Sequence, residues 1–114
     1  GTPLISGIKY GVPEIKCSRV GRWWSKEGEI DIVGLAEDEN TIVFGEAKWS
    51  VNPVGTDILD DLEKKAKLVD WRRDERKEYF VLFSRSGFTA NLEKIAGERG
   101  DLLLFPGKTL NFKT

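Results

Sequence analysis

The chain has 114 residues, 39% of them hydrophobic, which is enough for one domain with a single core. Its 18 basic and 19 acidic residues nearly cancel, so any contact with nucleic acid or anionic lipid must come from a local patch. The absence of His and the presence of one Cys exclude His-based triads, His zinc sites and multi-Cys metal clusters. Catalysis would therefore rest on carboxylates and lysines.

No apolar run approaches the roughly 20 residues that span a bilayer, and the chain does not open with an export signal. The single cysteine, Cys17, favours a reducing compartment, so we expect a cytoplasmic protein. Met is absent, which predicts a fragment or processed product of a longer protein. Gln is also absent and Lys, Glu and Arg are abundant, a balance that fits proteins working at high temperature.

The first half of the chain predicts an apolar segment followed by strands. Pro3 to Tyr10 is ambiguous and could be the tail of a helix. Lys16 to Ser25 contains several β-favouring residues and predicts a strand. Glu29 to Ala36 and Thr41 to Trp49 are rich in β-branched residues and flank the polar stretch 37–40, so they predict a β-hairpin.

The second half predicts two helices that alternate with two strands. Thr56 or Asp57 can cap the first helix. Tyr79 to Phe83 is a continuous apolar run, as expected for a strand covered on both faces. Asn91 to Ala96 and Leu102 to Phe105 predict a short helix, closed by one of the glycines that follow it, and a final strand. The apolar positions of the first helix follow helical spacing and are Ile58, Leu59, Leu62, Ala66 and Val69.

This order of elements predicts an α/β domain with a mixed β-sheet flanked by helices. Its early strands should be antiparallel, and a helical crossover should lead into a buried parallel strand. No internal repeat or linker-like segment interrupts the chain, so residues 1–114 are expected to form a single domain.

The predicted hairpin brings charged residues together. A symmetric turn at residues 38–39 places Asp31 opposite Glu46, and Glu29 opposite Lys48. Glu46 and Lys48 share one face of their strand, because side chains alternate with a period of two. Two carboxylates and an ammonium group should therefore lie side by side.

Opposed carboxylates on neighbouring strands destabilise a sheet by up to about 1 kcal/mol, so a compensating cation is expected at Asp31 and Glu46. Mg²⁺ takes one or two protein carboxylates, keeps several waters and accepts phosphate oxygens. Lys48 could orient or help deprotonate the attacking water and steady charge on the phosphate, and the carbonyl of Ala47 could be a further ligand. The pattern indicates phosphodiester hydrolysis.

The segments Glu29–Val33 and Phe44–Trp49 resemble motifs of the PD-(D/E)XK restriction-endonuclease-like superfamily, and the order of elements resembles its core. Val20–Trp24 additionally resembles the carboxy-terminal domain, of unknown function, that follows a P-loop ATPase and a winged helix in many archaeal ATPases. The resemblance covers the chain from about Lys16 onward. The superfamily usually begins with a further core helix, of which only a truncated stub, Pro3 to Tyr10, is expected here.

By this resemblance, Asp31 and Glu46 would be metal ligands, Lys48 the catalytic lysine, and Mg²⁺ or Mn²⁺ the cofactor. DNA would be the substrate, and an ATPase domain would belong to the same parent chain. No Gly-x-x-x-x-Gly-Lys-Ser/Thr phosphate loop occurs in these residues, so the chain itself should not hydrolyse ATP.

Each feature also has a simpler interpretation. Asp31, Glu46 and Lys48 could be a solvated charge ladder on a hairpin. The four tryptophans could stack on bases, but packing explains most of them more simply. A basic set could line a phosphate path, or it could be a solvated face interrupted by acidic residues. The tryptophans are Trp23, Trp24, Trp49 and Trp71, and the basic set comprises Lys64, Lys65, Lys67, Arg72, Arg73, Arg76 and Lys77.

Two further candidates carry a weaker signal. Cys17 has no neighbouring base in the sequence pattern, so we expect a buried small side chain rather than a nucleophile. The segment Ser84–Gly87 follows the central strand and could cradle a phosphate, although a plain strand-to-helix loop explains it more simply.

Together these observations predict a Mg²⁺-dependent DNA endonuclease-like domain attached to an ATPase. The main alternative is a non-catalytic module that binds DNA or protein and regulates the ATPase, with a vestigial nuclease site. A third is a structural or oligomerising domain. Binding of a divalent ion separates the first hypothesis from the second, and association that is indifferent to DNA and metal would favour the third.

Overall fold

A computed structural model describes residues 4–5 and 15–107 of the chain. Two helices and a short 3₁₀ turn at Glu37–Glu39 accompany the strands in these residues. The strands are β1 (Leu4–Ile5), β2 (Ile15–Lys16), β3 (Arg19–Ser25), β4 (Gly28–Ala36), β5 (Thr41–Lys48), β6 (Lys77–Ser84) and β7 (Leu102–Pro106), and the helices are α1 (Thr56–Ala66) and α2 (Ala90–Glu98).

Five strands form one mixed sheet in the order β3-β4-β5-β6-β7. The pairs β3–β4 and β4–β5 are antiparallel, whereas β5–β6 and β6–β7 are parallel and are connected through α1 and α2. The two short strands β1 and β2 pair with each other. The predicted α/β domain, with antiparallel early strands and a helical crossover into a buried parallel strand, is confirmed.

Both described helices pack on the same face of the sheet. Leu62 of α1 and Leu92 of α2 are fully buried against Phe44 of β5 and Leu82 of β6. Burial of each such side chain contributes about 1.5–3 kcal/mol, so this layer is the main source of stability. Residues on the other face are buried as well, and they include Cys17, Val43, Val81 and Leu103.

The beginning of the chain differs from its prediction. The predicted strand from Lys16 to Ser25 is interrupted at Cys17 and Ser18, because the amide and hydroxyl of Ser18 both donate to the carbonyl of Leu35. Leu4–Ile5 form a strand rather than the tail of a helix. The remainder of the segment from Pro3 to Tyr10 lies outside the described residues.

The helix ends also differ in detail. Gly55, with no side-chain cap, precedes α1 in place of a capping Thr56 or Asp57, and α1 ends at Ala66, before the buried Val69. Thr89 caps α2 by accepting a hydrogen bond from the amide of Leu92, and that helix continues through Gly97 to Glu98. Within residues 4–5 and 15–107, no helix has the length and apolar character needed to cross a membrane.

Candidate active site

The β4–β5 hairpin has the predicted register. Its pairs run from Ala36 opposite Thr41 to Ile32 opposite Gly45, and the same register continued by one step sets Asp31 beside Glu46. Beyond the Ile32–Gly45 pair, a side chain joins the two strands, because Asp31 Oδ2 accepts a hydrogen bond from the Ala47 amide at 3.1 Å. The Asp31 carboxylate is thereby held at the carboxyl end of β5.

An irregularity in the neighbouring strand pair helps to orient Asp31. Gly21 of β3 pairs with Val33 and Trp23 pairs with Ile30, so β4 uses one more residue than β3 over this stretch. The extra residue belongs to the Asp31–Ile32 dipeptide. Such β-bulges bend a strand and redirect a side chain, and they are common beside active sites.

Glu46 is buried, with 6% of its surface exposed. Burial raises the pKa of its carboxyl, and the hydrogen bond to Asp31 and the charge of that neighbour raise it further. The hydrogen bond and charge of Lys65 act in the opposite direction and do not offset these effects. The folded state therefore disfavours the ionised form of Glu46.

Lys65 of α1 enters this site from above the sheet. Its Nζ lies 2.6 Å from Glu46 Oε1 and 3.1 Å from Asp61 Oδ2, one helical turn earlier on the same helix. Burial favours the neutral amine, but the hydrogen bonds and charges of the two carboxylates outweigh it and raise the pKa of Lys65. Two carboxylates, one from the sheet and one from the helix, thus share one ammonium group.

The sequence pattern places Lys65 only in the basic set that could line a phosphate path or form a solvated face. One signal could have identified it: Ile58, Leu62, Lys65 and Val69 follow the spacing of a single apolar stripe, and Lys65 is the one polar member. A charged residue in such a stripe faces the sheet and requires a partner. Asp61, exposed one helical turn before Lys65, is not in that stripe and has no comparable signal.

Lys48 stands apart from the carboxylates. It is exposed at the last position of β5, two residues beyond Glu46 on the same face, and pairs with Ser84 of β6. Among the described residues, no hydrogen bond or ion pair joins its side chain to Asp31 or Glu46. Glu29 pairs with Trp24 of β3 and is exposed. In the described part of the chain, no hydrogen bond or ion pair joins Glu29 to Lys48, which were predicted to lie opposite each other.

The donor set at Asp31 and Glu46 fits a hard divalent cation. In the part of the chain that the structure describes, no cluster of three or more His, Cys, Asp or Glu side chains is arranged to hold a metal ion. Mg²⁺ needs only one or two carboxylates, with waters or carbonyl oxygens completing its shell. Such an ion would compensate the two neighbouring carboxylates once the Lys65 ammonium had left Glu46 Oε1.

The tryptophans divide into two pairs. Trp23 and Trp71 are half-buried and pack against the main core, as the packing interpretation predicted, whereas Trp24 and Trp49 are 69% and 56% exposed. Trp23 and Trp71 also line a groove of about 260 Å³, whose rim carries Arg19 and Arg22 of β3. This groove combines two aromatic rings with two guanidinium groups.

The arginines after α1 are engaged by the chain itself. Arg72 donates to the carbonyl of Glu37, and Arg73 donates to that of Lys67. Arg76 donates to the carbonyls of Ala66, Val69 and Trp71 and thereby closes the end of α1. These contacts favour a structural role for the three arginines over a phosphate path.

The remaining two candidates are also structural. Cys17 is fully buried, and burial, assisted by the charge of Glu39, raises the pKa of its thiol. In the Ser84–Gly87 segment, the Gly87 amide donates to the Ser84 carbonyl and the Ser86 hydroxyl donates to the carbonyl of Ser50. Gly87 has φ = 83°, a conformation that favours glycine, so the segment is a tight strand-to-helix turn.

Known proteins resemble the chain in both sequence and structure. A repair endonuclease from Pyrococcus abyssi is similar in structure, with a TM-score of 0.49 and 16% sequence identity over 76% of this chain and 38% of the endonuclease. The uncharacterized protein MJECL04 of Methanocaldococcus jannaschii is 32% identical over 105 residues, which cover 90% of this chain and 22% of that protein.

The chain therefore spans less than a quarter of that relative's length. A family model described as "Archaea bacterial proteins of unknown function", DUF234, matches residues 3–67. The matched residues make up more than half of the chain and include Asp31, Glu46 and Lys48. The chain belongs to the DUF234 family of proteins of unknown function.

Proposed function

We propose that this chain is a nuclease-like domain that hydrolyses phosphodiester bonds in DNA with the help of Mg²⁺ or Mn²⁺. One observation carries the proposal: Asp31 and the buried Glu46 meet at the carboxyl end of β5, where the Lys65 ammonium is shared between Glu46 and Asp61. Hard divalent cations prefer such oxygen donors. In open α/β sheets, ligands also bind beyond the carboxyl ends of the strands.

In this proposal Asp31 and Glu46 hold the ion and Lys48 assists the reaction. A bound divalent cation supplies positive charge for the phosphate and lowers the pKa of water. The Ala47 amide keeps the Asp31 carboxylate oriented through its 3.1 Å hydrogen bond. The exposed Lys48 ammonium, on the same face as Glu46, orients the attacking water and stabilises negative charge that develops on the phosphate.

The groove beside β3 supports DNA as the substrate. Arg19 and Arg22 can contact phosphates, and the half-buried Trp23 ring can pack against an exposed base, whereas the Trp71 ring already carries the Arg72 guanidinium, 4.6 Å from its centroid. The chain carries a net charge of −1, so attraction of DNA has to be local, and this groove supplies a local concentration of guanidinium groups.

We further infer that residues 1–114 form one domain of a longer protein that contains an ATPase. The chain covers 22% of the Methanocaldococcus jannaschii relative, which supports a longer parent protein. The resemblance of Val20–Trp24 to a domain of archaeal ATPases supports an ATPase domain in that parent. A cytoplasmic location belongs to the same proposal, because the buried, free Cys17 suits a reducing compartment.

A second function is favoured by the contact between Lys65 and Glu46. An ammonium group 2.6 Å from a proposed ligand oxygen neutralises that oxygen without any metal. A domain that has lost catalysis could keep its folded shape with this internal ion pair. It would then bind DNA or a partner protein and regulate the ATPase.

Calorimetric titration of Mn²⁺ into the chain and into Asp31→Asn tests the proposal without a choice of substrate. Asp38→Asn, an exposed change in the turn of the same hairpin, is the matched control. We expect one or two ions to bind the wild-type chain and the control, and binding to be lost in Asp31→Asn. Cleavage of labelled DNA by the wild-type chain but not by Lys48→Ala would then establish the reaction.

Absence of Mn²⁺ binding to the wild-type chain would overturn the nuclease proposal. In that case, retardation of single-stranded or duplex DNA in a mobility assay, unaffected by Asp31→Asn, would support the non-catalytic module.

A further inference from the structure

Lys65 lies in the candidate site, where its side chain is largely buried and paired with two carboxylates. Its side chain is only 15% exposed, and its Nζ is shared between Glu46 Oε1 at 2.6 Å and Asp61 Oδ2 at 3.1 Å. The carboxylate of Asp61 itself is 66% exposed. The ammonium group therefore lies between a buried carboxylate of the sheet and a solvated carboxylate of the helix.

The stem of Lys65 lies close to Gly28, the first residue of β4. A Cβ atom added at Gly28 would lie 3.2 Å from Lys65 Cδ, closer than most such contacts, and Gly28 has φ = 149°. Gly28 thus gives the lysine stem its room above the hairpin. A surface lysine that met Glu46 by chance would not need this arrangement.

Building on the proposed function, we propose that Lys65 is the resident cation of the Asp31–Glu46 pair and that a divalent ion binds only by exchange with its ammonium group. Two cations at one carboxylate oxygen repel each other strongly in a buried site. When the ion binds, Lys65 releases Glu46 and keeps its ion pair with Asp61. Asp61 therefore holds the Lys65 ammonium group once the divalent ion has displaced it from Glu46.

This exchange predicts opposite effects for two substitutions. Lys65→Met removes the competitor but keeps a stem of similar length, so Mn²⁺ should bind more tightly. Asp61→Asn removes the carboxylate that receives Lys65, so the ammonium stays on Glu46 and Mn²⁺ should bind more weakly. Lys64→Met is the matched control, because Lys64 is the exposed neighbour on the same helix.

The experiment is a calorimetric titration of Mn²⁺ into the wild-type chain and these three variants at neutral pH. We expect Lys65→Met to tighten binding by about tenfold, since a hydrogen bond to a charged group contributes that much to an equilibrium constant. Asp61→Asn should weaken it severalfold with unchanged stoichiometry, and Lys64→Met should match the wild type. Asp61 is exposed, so its variant should fold even if Lys65→Met does not.

The outcomes separate this inference from the proposed function. Equal or weaker binding to Lys65→Met, or unchanged binding to Asp61→Asn, would overturn the exchange but leave a metal-dependent nuclease possible. Failure of every form to bind Mn²⁺, Lys65→Met included, would overturn both. Opposite shifts in the two variants, with the control unchanged, would establish that Lys65 and the divalent ion compete for Glu46.

Discussion

Two ion networks connect α1 to other parts of the domain, and each places one cation between two carboxylates. We call them the Lys65 network and the Arg99 network. The Lys65 network contains Glu46, Lys65 and Asp61, and the Arg99 network contains Glu63, Arg99 and Asp101. Their composition is similar, yet the pKa of Glu46 in the first network is raised and the pKa of Asp101 in the second is lowered.

In the Lys65 network, burial and the neighbouring Asp31 raise the pKa of Glu46 despite the ion pair. In the Arg99 network, the hydrogen bonds from Arg99 lower the pKa of Asp101, and partial burial opposes them without offsetting them. The Arg99 guanidinium binds both oxygens of Asp101, at 2.9 Å and 3.0 Å, and this fork geometry is among the strongest in proteins. The Arg99 network therefore favours the ionised form of Asp101, whereas the burial of Glu46 in the Lys65 network disfavours its ionised form.

The largest expected effect on folding comes from removing the cation of the Lys65 network. Without metal, Lys65→Met should lower the free energy of unfolding at neutral pH by about 2 kcal/mol, because it leaves the buried Glu46 without its ion-pair partner. Urea unfolding measures the loss, and Lys64→Met should change stability by less than about 0.5 kcal/mol. Equal small losses in both variants would mean that Lys65 does not stabilise Glu46.

Gly28→Ala tests the room that the Lys65 stem requires. The new Cβ would approach Lys65 Cδ at 3.2 Å, and the backbone has a φ that favours glycine, so we expect a loss of about 1 kcal/mol or more in urea unfolding. Gly97→Ala, in the last turn of α2 where an added Cβ meets nothing within 4 Å, should instead gain up to about 0.5–1 kcal/mol. A Gly28→Ala protein as stable as the wild type would contradict this account.

Neutral isosteres should separate the two networks by the sign of their effect at neutral pH. Glu46→Gln should leave stability unchanged or raise it, because the folded state disfavours the ionised form of Glu46. Asp101→Asn should lower stability by up to about 1 kcal/mol, since Asp101 is partly exposed and its ion pair is screened. If urea unfolding showed that Glu46→Gln and Asp101→Asn change stability in the same direction, the contrast between the two networks would be wrong.

The pH dependence of these isosteres should differ as well. Asp101 has a lowered pKa, so its contribution is present above the pKa of the unfolded state and is lost as the pH falls through its folded pKa. Glu46 has a raised pKa, so its contribution is full below the unfolded pKa and is lost as the pH rises through its folded pKa. Urea midpoints of both variants against the wild type, from acid to neutral pH, measure the two slopes.

The hairpin and the order of elements were determined by the sequence itself. The polar stretch 37–40 between two β-branched runs sets the register locally, and this register brings Asp31 to Glu46 as predicted. The run from Tyr79 to Phe83 follows a helix, so a parallel buried strand was the expected outcome. Local patterns and short connections suffice for such features because few alternative pairings bury the same side chains.

The remaining features of the site depend on contacts between residues far apart in the sequence. Only the rotation of α1 above the sheet decides that Lys65 reaches Glu46, 19 residues away, while Lys64 faces solvent. The bulge opposite β3 depends on the fit between two whole strands. The sequence therefore determined which carboxylates meet, and the tertiary structure decided which cation meets them, because charge compensation depends on packing between a helix and a sheet.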